Sequence, residues 1–174
     1  MQFRKSTEED IPRIVEIFEG ARETMHARGI DQWTDGYPAE CDIRRDIEAG
    51  ISYVLCTEEG VPLATCAVLL SGEPNYSVIE NGAWLTESAD DETASYVAVH
   101  RIATDKTMRG RGLASRLISE AAILGQNAEK SSIRIDTHRD NKPMQGMLAR
   151  NAFAECGVIH LENGEARNAY EKRI

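Results

Sequence analysis

Arg109-Gly110-Arg111-Gly112-Leu113-Ala114 puts two arginines and two glycines within six residues, a set suited to holding an anion. Glycine lets the backbone turn tightly and approach a ligand closely. Leu113, Leu117, Ile118, Ala121 and Ala122 recur at helical spacing, so a helix begins near Gly112. The N–H groups of its first turn and its partial positive charge point back into the loop. That arrangement suits a pyrophosphate gripped mainly by backbone amides. Two arginines at a helix start oppose the dipole, so they call for a bound anion or for exposure. The plainer alternative is a glycine turn that merely starts a helix.

Rival phosphate motifs fare worse. No GxxxxGK followed by Ser or Thr is present, which removes a Walker A loop. Gly110 and Gly112 supply two glycines of a GxGxxG dinucleotide fingerprint, but Ser115 stands at the third. Asp136, at about the right distance further on, does not repair that gap.

Proton transfer would fall to histidine, the side chain that changes charge near neutrality. His100 lies on an apolar strand, Tyr96 to Ala103, just before the loop; its alternative role is a hydrogen-bonded sheet residue. His138 ends the strand Ser132 to Thr137, where sites of such sheets open; its alternative is an exposed loop residue. Cys41, Cys56, Cys66 and Cys156 form no CxxC pair and share no metal-like spacing with histidine. Reduced thiols and no metal site are expected.

The elements that position these residues are legible from periodicity. Thr7 caps a helix carrying Ile11, Ile14, Val15 and Phe18, which runs towards Arg28 and stops at Gly29. A second helix spans about Glu40 to Ala49. Ser52 to Cys56 and Pro62 to Leu70 read as a hairpin across Glu58-Glu59-Gly60. Ser71 to Glu92 reads as loop, with a helical turn around Val78 to Ala83. After the strand, loop and helix at the centre come the strand Ser132 to Thr137 and a helix from Asn141 to Asn151. Phe153 to Leu161 and Ala166 to Lys172 close the chain as strands joined at Asn163-Gly164. The order predicts one α/β domain over residues 1–174, built on a mixed sheet.

Composition narrows the partners. The chain has 174 residues, 41% hydrophobic and 28% charged, with a net charge of −9. So acidic a protein is a poor partner for a nucleic-acid backbone and for an anionic membrane surface. The longest apolar run, Cys66 to Leu70, is far short of the ~20 residues that span a bilayer. With no leader-like apolar segment at the start, a cytoplasmic location is expected.

The Arg109 to Ala114 segment fits the R/Q-x-x-G-x-G/A pattern and resembles the GNAT superfamily of N-acetyltransferases. The likeness extends over essentially the whole chain: two helices, a hairpin, a long strand feeding the loop, then a helix and a parallel strand. Asp136 to Met144 and Ala169 to Lys172 are also similar to segments of that family. The resemblance implies a mixed sheet of about six to seven strands with a splayed parallel pair, flanked by about four helices. It implies acetyl-coenzyme A as acyl donor and direct transfer to a primary amine of a small molecule or peptide.

The resemblance also implies roles. Ile102, Ala103 and Thr104 would meet the pantetheine arm along the central strand. Arg109, Gly110, Arg111, Gly112, Leu113 and Ala114 would hold the pyrophosphate. Asn141 would either reach the pantetheine amide or cap its helix. His100 and His138 are the candidate bases. The loop between the first two helices often covers the acceptor in this family, so Trp33 and Tyr37, beside Asp31 and Asp35, would take a cationic amine or else cap the core. Exposed edge strands in this family often pair, so a homodimer is among the implied assemblies. In one respect the chain departs from the pattern: Leu148 stands where many members carry a tyrosine that protonates the leaving thiolate. A non-catalytic acyl-coenzyme A sensor is the alternative reading.

Overall fold

The computed structural model describes residues 1–34, 36–89 and 91–174. Its order is β1 (Gln2–Lys5), α1 (Ile11–Ala27), α2 (Glu40–Glu48), β2 (Ser52–Cys56), β3 (Pro62–Leu69), β4 (Tyr96–Thr104), α3 (Leu113–Asn127), β5 (Ser132–Thr137), α4 (Lys142–Arg150), β6 (Ala154–His160) and β7 (Ala166–Arg173). The strands form one seven-stranded sheet in the order β1-β2-β3-β4-β5-β7-β6. The α/β class, the mixed sheet and the four helices are those expected. By contacts the chain divides into two compact units, Met1–Val68 with Arg101–Glu120, and Leu69–His100 with Ala121–Ile174.

In the first unit, the apolar stripe of α1 buries Ile11, Ile14, Ile17 and Phe18 against Ile43 of α2, Val54 and Cys56 of β2, and Ala103 of β4. Full burial of each such aliphatic or aromatic side chain is worth about 1.5–3 kcal/mol, more than intrinsic propensity gives a helix. Thr7 caps a single 3-10 turn, Glu8–Asp10, which precedes α1. Asp10 accepts the Thr7 N–H at 2.8 Å and is held by Arg4 at 2.7 Å. Burial raises the Asp10 pKa, but Arg4 and the Thr7 amide outweigh it and leave it lowered. β1 is an addition to the expected order. It pairs antiparallel with β2, Phe3 opposite Leu55, and stacks its Phe3 ring on Tyr53.

In the second unit, β4 pairs with β5 in parallel at Tyr96↔Ser132, Val97↔Ile133 and Ala98↔Arg134 only. β4 runs on to Thr104 past that register. The intervening α3 supplies the crossover that a parallel pair needs. β7 lies between β5 and β6, and its Tyr170 is buried. The helical turn expected at Val78 to Ala83 is instead a 3-10 turn at Pro74–Tyr76. Pro74 fixes the backbone there, while Glu80 bridges to Val158 as an isolated strand pair.

Candidate active site

The glycine loop is built from both of its ends. Where β4 finishes, the Asp105 N–H donates to Leu63 O at 2.8 Å. Its carboxylate accepts the Thr107 N–H at 2.7 Å and the Thr107 hydroxyl, and pairs with Arg13. These bonds, the Thr107 hydroxyl foremost, outweigh burial and hold the Asp105 pKa below the usual carboxylate range. A 3-10 turn, Lys106–Met108, leads into the loop. Gly110 and Gly112 have φ of 73° and 78°, a left-handed backbone that costs other residues about 1–2 kcal/mol each. A Cβ at either position would meet nothing within 4 Å. Glycine is required here for conformation, and the space above it is open.

At the other end, Arg116 N–H donates to Gly112 O at 2.9 Å and opens α3. The amides of the first turn point out along the helix axis. Leu113 is buried and anchors that turn. Arg109 donates to Gly20 O of α1 at 2.9 Å, so its side chain braces the loop on α1. Burial, aided by nearby Arg28, lowers the Arg109 pKa. Arg111 is exposed. On β4, Ala103 points into the core, whereas Ile102 and Thr104 on the alternate positions are half-buried.

His100, in the second unit, is surrounded by groups that the sequence did not associate with it. Its Nε2 lies 3.0 Å from Glu73 Oε2, off the ring N–H axis, and Nδ1 lies 3.7 Å from Asp136 Oδ1. Tyr76 donates to the same Asp136 oxygen at 2.8 Å and lays its ring beside the imidazole, centroids 5.9 Å apart. Burial, with the Asp136 charge adding to it, pushes the Tyr76 phenol well up. Burial pushes Glu73 up as well, but His100 and the Asn75 amides overcome this and bring it down to about 2. Glu73 and Tyr76 belong to an aperiodic loop that carried no signal.

That depression has a consequence for acid stability. A carboxyl titrating at about 2 in the fold and 4.5 when free contributes roughly 3 kcal/mol above pH 4.5. The contribution disappears as the pH falls from 4.5 towards 2. Urea midpoints measured between pH 6 and pH 3 are therefore expected to drop more steeply for the native chain than for Glu73→Gln. Parallel slopes would show that Glu73 is not held as an anion.

The remaining candidates are dispersed. His138 Nδ1 accepts the Asp140 N–H at 3.3 Å, in the turn before α4. Asn141 accepts the Met144 N–H at 3.2 Å, the capping role. Leu148 is fully buried and offers no proton to a leaving group. Trp33 packs edge-on against Phe18, centroids 5.5 Å apart, and carries φ of 62°. It lines a cavity of about 550 Å³ with Arg22, Glu23, His26, Ile30 and Asp31. Tyr37 is not in that lining; its hydroxyl accepts Arg101 Nε at 2.8 Å. Asp35, the second carboxylate expected beside the aromatics, lies outside the described residues. Among the described residues, no three His, Cys, Asp or Glu side chains are grouped to hold a metal ion, and no helix is long and apolar enough to cross a membrane.

The sequence and the fold are similar to those of known proteins. Residues 14–153 match the model of the acetyltransferase (GNAT) family. The uncharacterized N-acetyltransferase YesJ of Bacillus subtilis is 26% identical over 168 residues, covering 95% of this chain and 86% of that protein. A GNAT-family acetyltransferase from Streptococcus agalactiae superposes with a TM-score of 0.86 at 33% identity, over 99% of this chain and 95% of that one. The PaiA N-acetyltransferase of Thermoplasma acidophilum, solved in complex with coenzyme A, shares the fold with a TM-score of 0.70 at 12% identity, over 99% of this chain and 98% of that one. With most of its length matched by the family model and its glycine loop in place, the chain belongs to the GNAT acetyltransferase family.

Proposed function

We propose that residues 1–174 form a single acetyl-coenzyme A-dependent N-acetyltransferase domain that moves an acetyl group directly to a primary amine of a small molecule or peptide. The observation that carries this reading is the open, two-glycine turn at the start of α3. A Cβ at Gly110 or Gly112 would meet nothing within 4 Å, and Arg111 beside them is exposed. The Arg109 to Ala114 backbone holds the pyrophosphate. Ile102 and Thr104 offer backbone groups to the pantetheine arm along β4, with Ala103 anchoring the strand between them. Acetyl-coenzyme A supplies an activated thioester carbonyl when bound. On this reading the Ile102 N–H donates to the charge that develops on its oxygen.

His100, flanked by Glu73 and Asp136, takes the amine proton. His138 is the second candidate base, but its Nδ1 is occupied by the Asp140 amide. With Leu148 buried, the thiolate leaves without an acid from α4. Trp33, in the wall of the cavity beside Glu23 and Asp31, faces a cationic amine; Tyr37 contributes from the neighbouring turn.

The test is a panel of primary amines with detection of released thiol. His100→Ala is expected to lower the turnover about a hundredfold or more while acetyl-coenzyme A binding persists, and His138→Ala to stay within a few-fold of native. Equal losses in both variants would reject the assignment of the base. Tight binding with no turnover on any amine would favour an acyl-coenzyme A sensor, the reading to which buried Leu148 lends support.

A further inference from the structure

Arg101 has φ of 53° inside β4. A left-handed, non-glycine residue in a strand is strained and persists only where its surroundings fix it. Two partners do so here. Arg101 Nη1 lies 2.9 Å from Asp46 Oδ2, on the buried side of α2, and Nε donates to the Tyr37 hydroxyl at 2.8 Å. The guanidinium also lies over the Tyr37 ring, 5.6 Å from its centroid. One planar fork thus grips two elements at once, which a lysine cannot do.

The contacts continue from Tyr37. The carbonyl of the next residue, Pro38, accepts Arg22 Nη1 at 2.8 Å. Arg22 belongs to α1 and lines the cavity that Trp33 also lines. At its other end Arg101 precedes Ile102 in the chain. A single side chain therefore connects the backbone turn in β4 with Tyr37, and the next residue, Pro38, holds Arg22 of the cavity lining.

We infer that Arg101 is a positioning residue, which holds the 36–39 connection against α2 through Tyr37 and Asp46 and so sets the cavity wall that an amine acceptor would meet. The acceptor role rests on the function proposed above; the clamp itself does not. Nothing about Arg101 requires contact with coenzyme or amine. Its effect passes through Tyr37, Pro38 and Arg22.

Hydrogen exchange read by mass spectrometry separates this role from general stabilisation. Arg101→Ala is expected to speed exchange in peptides covering residues 28–39 about tenfold, with β1 and β2 amides nearly unchanged. Tyr37→Phe, which keeps the Asp46 pair and the fold, is expected to show the same local effect at smaller size. Arg101→Lys should fall between them. With the best amine of the panel, half-saturation should rise about tenfold in Arg101→Ala while the saturated rate changes less; where no amine releases thiol, the exchange result decides. Unchanged exchange over 28–39 in both Arg101→Ala and Tyr37→Phe, or a uniform rise everywhere, overturns the inference. Failure of the native protein to bind acetyl-coenzyme A overturns the proposed function and leaves the exchange result standing.

Discussion

Gly112→Asp is expected to abolish the rise in melting temperature that acetyl-coenzyme A produces in the native protein. At a hundred times its dissociation constant a ligand adds about 2.7 kcal/mol, which for a chain of this size is a shift of roughly 5–10 °C. The substitution acts twice. It forces a side chain onto a backbone with φ of 78°, and it sets a carboxylate in the open space to which the proposed function assigns the pyrophosphate. Gly112→Ala separates the two effects. Its Cβ meets nothing within 4 Å, so it adds only the backbone strain of about 1–2 kcal/mol and should retain a weakened shift. An undiminished shift in Gly112→Asp would mean that the coenzyme, if bound, is held elsewhere.

Glu171→Ala is expected to cost about 3–5 kcal/mol of folding stability, or a melting point lower by roughly 6–20 °C. Glu171 is fully buried, as is Arg134 beside it. The carboxylate accepts from Arg134 Nε at 3.3 Å, from the Ser132 and Thr86 hydroxyls at 2.5 Å, and from the Leu85 amide. Arg134 is stacked between Trp84 and Tyr96, 4.3 Å and 4.0 Å from the ring centroids, and donates to Thr86 O at 2.7 Å. Removal of the carboxylate takes the acceptor from the Ser132 and Thr86 hydroxyls and the Leu85 amide and one partner from the buried Arg134. A chemical-denaturation midpoint close to native would show that water or relaxation replaces the anion. Arg134→Met with Glu171→Leu should recover much of the loss, because a buried pair replaced by apolar groups is often tolerated.

The same network marks where the sequence stops being readable. Alternating isoleucine and polar residues over Ser132 to Thr137 read as a strand. The strand is there, but Ser132 and Arg134 are as buried as Ile133 and Ile135. The covering segment, Trp84 to Thr86, lies in a stretch without periodicity, and nothing local links it to Glu171. The His100 site was hidden likewise. The histidine was a candidate from its strand, but Glu73 and Asp136 reach it only through the fold. β1 was too short to give a pattern and is specified by its pairing with β2. Arg101 looks like any strand residue until its backbone angle is known. The glycine loop, by contrast, was legible because glycine reports on backbone directly, and α1 because a buried stripe at helical spacing has one reading.

The acetyltransferase reading is tested most directly by calorimetric titration of acetyl-coenzyme A into the native protein, with acetyl-pantetheine, which lacks the pyrophosphate, as the reference. Saturable binding that is lost when the pyrophosphate is removed is the predicted result. No heat at millimolar acetyl-coenzyme A, or equal binding of an analogue without the pyrophosphate, would contradict it.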